Sequence, residues 1–299
     1  MAPQQRKELI WLITGTSSGL GHSLALQALA RQDKVIATSR SVSESSNINP
    51  NPKLEELKAR GAHILEMDVT SPLAYLREKA KEAADVFGRV DVLVNNAGYI
   101  LFGTLEENTP EETYDQFNTN FFGALNVTRA FLPYMRERKT GTVIWVGSMF
   151  GLVGCPYAGI YTATKWALRG TSFSLHDEIS PIGLRSLVVD FGFFRTSVLD
   201  PNKRDMKGSK IEDYHPIVKQ MEDVVHQMAG TQPGDPIKGA QAILDVVRGE
   251  GQAKGKPFPM ELVLGTDCFG TATKEAERHA NELEVWKDIS CGTDFDQED

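Results

Sequence analysis

Short apolar runs recur along the chain, each bounded by glycine, proline or small polar residues, and longer stretches with helical spacing lie between them. Runs at 9–14, 34–38, 62–67, 90–94, 142–147, 184–190 and 260–264 read as strands. Stretches 20–31, 54–60, 72–87, 111–138, 161–179 and 236–248 read as helices. Such alternation predicts an α/β fold, a doubly wound parallel sheet with helices on both faces. The 90–94 run is apolar without alternation, as a strand covered on both sides should be. Two segments depart from the pattern. Residues 193–235 are long for a loop, mixed in charge and rich in Pro, Gly and Met, with room for one or two short helices. Phe193, Phe194, Tyr214, Met221 and Met228 make this segment a substrate lid rather than a disordered loop. Residues 266–299 read as a C-terminal helix and an acidic tail that frays over 294–299. No repeat or linker divides the chain, so 1–299 is expected to be a single domain.

Composition narrows the partners. A chain of 299 residues that is 41% apolar and 24% charged has ample core for a globular protein. A net charge of −8, with no compensating basic cluster, argues against nucleic acid or an anionic membrane surface. Cys155, Cys268 and Cys291 are too few and too scattered for a disulfide framework or a zinc site. His176, His215 and His226 likewise lack metal-ligand spacing, so no metal is expected. The polar residues 1–8 lead into a short apolar stretch closed by a glycine turn, which reads as a first strand and not a signal peptide. No run approaches the roughly 20 apolar residues of a membrane span. A soluble, reduced, cytoplasmic protein is the expectation.

The chemistry concentrates at three residues. Tyr161 and Lys165 are four apart on a predicted helix and therefore share a face. Ser148 stands thirteen residues before the tyrosine (161 − 148), at the end of the strand 142–147. An ammonium roughly 5 Å from the phenol, in an effective dielectric of about 20, contributes about 3.3 kcal/mol. That would bring a tyrosine from about 10 to about 7 to 8, a useful range for proton transfer. Ser148 would supply a hydroxyl to a developing alkoxide.

A second cluster faces a nucleotide. The run Thr14-Gly15-Thr16-Ser17-Ser18-Gly19-Leu20-Gly21 joins the first strand to the first helix. There the backbone N–H groups of Ser17, Ser18 and Leu20 and the helix N-terminus can hold a pyrophosphate. Gly15 permits the turn, Gly19 the approach of phosphate, and Gly21 the packing of helix on strand. At the end of the second strand an NAD enzyme carries an acid for the ribose 2′-OH, but this chain has Arg40 and no acid. A guanidinium suits a 2′-phosphate, which makes NADP(H) the expected cofactor. Asp68-Val69 ends the third strand, where the carboxylate either accepts from an adenine amino group or caps the next helix. Asn95-Asn96-Ala97-Gly98 follows the fourth strand and fits a turn beneath a dinucleotide.

Taken together, Thr14-Gly15, Gly19, Gly21, Asp68, Asn95-Asn96-Ala97-Gly98, Asn120, Ser148, Tyr161 and Lys165 resemble the short-chain dehydrogenase/reductase family. The resemblance spans about the first 200 residues and is loosest at the level of subfamily, where carbonyl-reductase and steroid- or retinol-type members, including reductases of secondary metabolism, are most similar. It implies a seven-stranded Rossmann-type sheet of order 3-2-1-4-5-6-7, with Tyr161 as acid/base and Lys165 lowering its pKa and holding the nicotinamide ribose. Ser148 would orient the substrate oxygen, Asn120 would anchor a water that links Lys165 to solvent, and Thr196 would contact the carboxamide. One departure from the family pattern is Phe191 in place of a proline, which predicts a looser or differently shaped backbone beside the nicotinamide. Homodimers or homotetramers are common in the family.

Phe150, Leu152, Val153, Cys155 and Tyr157 lie between Ser148 and Tyr161 and would wall the pocket with the lid. An apolar wall favours a bulky, neutral ketone or secondary alcohol as the small-molecule substrate. The same fold also carries imine reduction, dehydration and epimerisation. A non-catalytic NADP sensor is a further alternative, one expected to lose Tyr161 or Lys165.

Overall fold

All seven expected strands form: β1 (Ile10–Ile13), β2 (Lys34–Ser39), β3 (His63–Glu66), β4 (Val92–Asn95), β5 (Gly141–Val146), β6 (Leu184–Phe191) and β7 (Glu261–Leu264). In the computed structural model, which describes residues 7–41, 51–200, 206 and 208–295, they make one sheet of order β3-β2-β1-β4-β5-β6-β7. Every neighbouring pair is parallel, with Trp11 set between Val35 and Val92 and Val146 opposite Val189. The strand order reverses between β1 and β4, which opens a crevice at the carboxyl ends of the strands.

Both faces of the sheet are covered. α3 (Leu73–Phe87), α5 (Ala124–Arg138) and α6 (Gly159–Ile179) bury Leu76, Val127, Phe131 and Leu168 on one side. α1 (Gly19–Ala30), α2 (Pro52–Ala59) and α8 (Pro236–Arg248) bury Leu24, Leu57 and Leu244 on the other. β1 shows why its run is continuously apolar: Ile10 and Leu12 face the first layer, Trp11 and Ile13 the second. Each such side chain removed from water contributes about 1.5–3 kcal/mol.

The helix expected over 111–138 is interrupted. α4 (Pro110–Phe117) starts at a capping box in which Thr109 and Glu112 satisfy each other's backbone N–H groups. A π-helical turn (Asn118–Gly123) then joins it to α5. The extra residue in that turn directs Asn120 into the protein, where it is 1% exposed. Gly123 makes the close approach possible, since a Cβ there would lie 2.9 Å from the Val69 side chain.

Among its described residues, segment 193–235 holds one full helix, α7 (His215–Met228), and short 3-10 turns at Ser197–Leu199 and Glu212–Tyr214. Beyond β7 come α9 (Thr266–Val285) and the short α10 (Lys287–Cys291). Residues 296–299 of the expected acidic tail lie outside the described residues. Among the described residues no helix is long and apolar enough to cross a membrane, and no group of His, Cys, Asp and Glu is arranged to hold a metal ion.

Candidate active site

The glycine turn closes the crevice at its β1 end. Gly15 and Gly19 adopt φ of +69° and +61°, where a side chain would be strained. A Cβ on Gly21 would sit 2.4 Å from Asn96 Nδ2 and 2.6 Å from the Gly15 carbonyl, so this glycine lets α1 pack against the turn. Asn96 fastens the arrangement. Its amide donates to the carbonyls of Thr14 (2.7 Å) and Gly15 (3.0 Å), while the Thr14 hydroxyl accepts from the Asn96 and Ala97 N–H groups at 2.9 Å each. A Cβ on Gly19 would meet nothing nearer than Thr196, at 3.8 Å. Ser18, the N-cap of α1, makes no side-chain capping bond, and the first turn that follows, with Leu20, carries no acid. An open turn over an uncapped helix N-terminus fits a pyrophosphate. Asn51, the N-cap of α2, reaches back to the Ser17 carbonyl at 3.3 Å.

The other expected nucleotide contacts separate into two groups. Arg40 stands exposed just past β2, and its charge reaches the Tyr99 phenol. Asp68 uses Oδ1 within a local turn, accepting from the Thr70 N–H (2.9 Å) and hydroxyl (2.7 Å), and it does not cap α3, whose N-cap is Pro72; Val69 beside it is buried. Asn95 turns its amide toward α5 and donates to the Thr128 hydroxyl at 2.8 Å. Its neighbour Asn96 is therefore the residue that touches the glycine turn. Ala97 lies over Gly15, and Gly98 abuts Asn120. Thr196 caps its own 3-10 turn through Oγ1, which accepts the Val198 N–H at 3.3 Å.

Phe191 does not loosen the chain after β6. Its ring packs edge-on against Phe194 at 4.9 Å. The backbone is held on both sides, Gly192 donating to the Leu264 carbonyl (2.9 Å) and Phe193 to Asp267 Oδ2 (2.6 Å). An aromatic pair and two backbone bonds supply the rigidity that a proline gives elsewhere.

Ser148, Tyr161 and Lys165 converge where β5 meets α6. Ser148 follows β5 and caps the 3-10 turn Met149–Gly151, accepting the Phe150 N–H at 3.2 Å. Its hydroxyl is near enough to the Tyr161 phenol to pull that group's pKa down. Lys165 Nζ lies 5.5 Å from the centre of the Tyr161 ring and donates to the Val146 carbonyl at 2.7 Å. The expected lowering of Tyr161 is not what this geometry gives. Burial pushes the phenol up to about 12 against the pull of Ser148, and burial pushes Lys165 down to about 8. The ammonium is aimed at a carbonyl rather than at the phenol oxygen, so desolvation outweighs attraction.

Asn120 is fully engaged. Oδ1 accepts the Tyr99 N–H at 3.0 Å, and Nδ2 donates to the Tyr99 carbonyl (2.9 Å) and the Thr164 hydroxyl (3.3 Å). It ties the loop after β4 to α6, next to Lys165.

Of the expected pocket wall, Leu152, Cys155 and Tyr157 are buried, whereas Phe150 and Val153 are half-buried. Phe150 meets Phe193 edge-on at 6.0 Å. Segment 208–222 is laced to the core by polar contacts: Tyr157 Oη donates to Glu222 (3.1 Å) and accepts the Gly208 N–H (3.1 Å). Glu107 accepts from Ser209 Oγ (2.7 Å) and the Lys210 N–H (2.6 Å), and Tyr214 donates to Glu106 (2.6 Å).

Comparison with known proteins agrees with this geometry. A family model for short chain dehydrogenases matches residues 10–207. The oxidoreductase BOA17 of Botryotinia fuckeliana is 31% identical, over 95% of this chain and 98% of the relative. A 3-ketodihydrosphingosine reductase of Bacteroides thetaiotaomicron is 39% identical, over 69% of this chain and 71% of its own. Among solved structures, a short-chain dehydrogenase from Streptomyces avermitilis is similar with a TM-score of 0.81 at 34% identity, covering 97% of this chain and 100% of that one.

Proposed function

The chain belongs to the short-chain dehydrogenase/reductase family and is an oxidoreductase acting on a CH–OH or C=O group, and on that premise we propose that it reduces a bulky, largely apolar ketone with NADPH, Tyr161 giving the proton. The observation that carries this reading is the convergence of Ser148, Tyr161 and Lys165 at the end of β5, beside the crevice lined by the glycine turn. NADPH, when bound, supplies the hydride. The remaining work falls to the chain.

At neutral pH a phenol pushed up to about 12 is protonated, which is the form that ketone reduction consumes. Tyr161 then donates to the carbonyl oxygen as negative charge grows there, and Ser148 offers a second hydroxyl to the same oxygen. Lys165, pushed down to about 8, is still mostly charged at neutral pH and favours the phenolate that proton donation leaves behind. Gly15, Gly19 and the α1 N-terminus receive the pyrophosphate, with Asn96 holding the turn in shape. Arg40, exposed just past β2, would meet the 2′-phosphate, a planar, permanently charged donor in place of the acid of an NAD enzyme.

The substrate reading rests on Phe150, Val153 and Phe193, with segment 193–235 as a lid. Glu106 and Glu107 are taken up by contacts to that segment, and the segment's own Glu222 accepts from Tyr157, so these three carboxylates are already partnered. The Bacteroides relative, named for reducing a ketone, supports the same class. The test is NADPH oxidation with a fused-ring ketone and with a short charged keto acid. A higher kcat/KM for the ring ketone is expected, and the reverse order would overturn the substrate reading.

A further inference from the structure

Behind the candidate catalytic residues lies a buried carboxylate that proton transfer at Tyr161 leaves unused. Asp190, next to last in β6, is 0% exposed. Its Oδ1 accepts the Ser148 backbone N–H at 3.0 Å, and its Oδ2 accepts Arg169 Nη1 at 2.7 Å. The turn carrying Ser148 is shaped around it. A Cβ on Gly147 would fall 2.0 Å from Asp190 Oδ1, and one on Gly151 would lie 3.4 Å from that oxygen and 3.3 Å from the Lys165 carbonyl, so the carboxylate and Lys165 border the same glycine. Arg169 is one helical turn beyond Lys165 on α6, stacks over Phe173 at 5.0 Å, and sends Nη2 to Glu261 on β7 at 2.6 Å.

We propose that Asp190 is a positioning residue that seats the Ser148 turn and is the buried anion whose field reaches the neighbouring Lys165 through space, while Arg169 and Glu261 set how much of that charge is felt at the site. A carboxylate without solvent needs paired donors to remain ionised. Arg169 provides one and the Ser148 N–H another, but Arg169 is shared with Glu261, so its charge neutralises only part of Asp190. The remainder acts on Lys165, whose ammonium is otherwise satisfied by a neutral carbonyl. The charged and titratable groups around Asp190 are Arg169, Lys165 and Tyr161 on α6, Glu261 on β7 and Cys268 on α9, whose thiol donates to the Asp190 carbonyl at 3.5 Å. Among these, Asp190 is the anion that raises Lys165. Burial moves Asp190 up to about 6, so above that pH it is charged while Lys165 is still protonated.

The proposal builds on the catalytic reading of Tyr161 and Lys165, and its test is separable from that reading. The Lys165 Nζ titration is followed by NMR in protein labelled at lysine side chains, with the resonance assigned by its loss in Lys165→Met. Wild type, Asp190→Asn and Glu261→Gln are compared. Asparagine keeps an acceptor for the Ser148 N–H and removes the charge, so the Lys165 midpoint should fall by roughly half a unit or more. Glu261→Gln leaves Arg169 wholly to Asp190 and should move the midpoint the same way by less. If Asp190→Asn does not fold, the more exposed Glu261 variant decides. An unchanged or raised Lys165 midpoint in the folded variants overturns the proposal. Loss of the catalytic reading would show elsewhere, as full turnover in Tyr161→Phe, whatever the titration gives.

Discussion

Two glycines of the same turn should respond differently to the same added methyl group, one mainly in stability and the other mainly in cofactor binding. In Gly21→Ala the new Cβ overlaps Asn96 Nδ2 at 2.4 Å and the Gly15 carbonyl at 2.6 Å. The carbonyl is backbone and cannot swing aside, so Asn96 must move and release its bonds to Thr14 and Gly15. Overpacking of this kind is worth about 1–3 kcal/mol, and each lost hydrogen bond about 0.5–1.5 kcal/mol. Alanine returns about 1 kcal/mol of helix propensity. The net loss should be about 3 kcal/mol, or roughly 6–12 °C in Tm if this chain follows the trend for somewhat smaller domains. In Gly19→Ala the methyl meets only Thr196, at 3.8 Å, and the cost is the positive φ, about 1–2 kcal/mol. That methyl points into the space proposed for the pyrophosphate. Thermal unfolding and fluorescence titration with NADPH separate the two. Gly21→Ala should show the larger fall in Tm, and Gly19→Ala the larger loss of NADPH affinity relative to its fall in Tm. A Gly21→Ala variant that melts with wild type refutes the packing argument, and a Gly19→Ala variant that binds NADPH as wild type does refutes the phosphate site.

Arg40→Ala should weaken NADPH more than NADH, because a charge-assisted contact is worth about 1.5–3 kcal/mol. The preference should fall roughly ten- to a hundred-fold, and equal loss for both cofactors would show that Arg40 does not read the 2′-phosphate. Lys165→Met should abolish most turnover yet change stability in a pH-dependent way. The buried ammonium has a folded pKa of about 8 against 10.5 for the free side chain, so its cost is fully present below 8 and is relieved as pH rises toward 10.5. The Tm of Lys165→Met relative to wild type should therefore be highest below pH 8 and decline above it, and a difference that grows with pH would contradict the burial argument.

The strands were legible because each is an apolar run between turn residues, and β1 shows why the signal is strong: both of its faces are buried. Their order was not in the periodicity and came from the family motifs. The π-helical turn at Asn118–Gly123 was hidden because the sequence around it keeps a helical pattern with no proline to mark a break, although Gly123 was a clue to close packing. At the site, spacing identified Tyr161, Lys165 and Ser148 but not the direction of the lysine, which depends on a carbonyl nineteen residues away. Asn95 and Asn96 were equivalent as letters, and only the pleat decides which one reaches the turn. Arg169 carried a faint signal, one helical turn past Lys165, but its partner Glu261 lies 92 residues further on and shows itself only when β7 pairs with β6.

Tyr161→Phe tests the central claim most directly, since it removes one oxygen and leaves the ring beside Lys165. With NADPH and a fused-ring ketone, kcat should fall by about 10²–10⁴-fold while the NADPH dissociation constant stays close to that of wild type. Turnover within a few-fold of wild type would contradict the account, because the proton would then come from some other group.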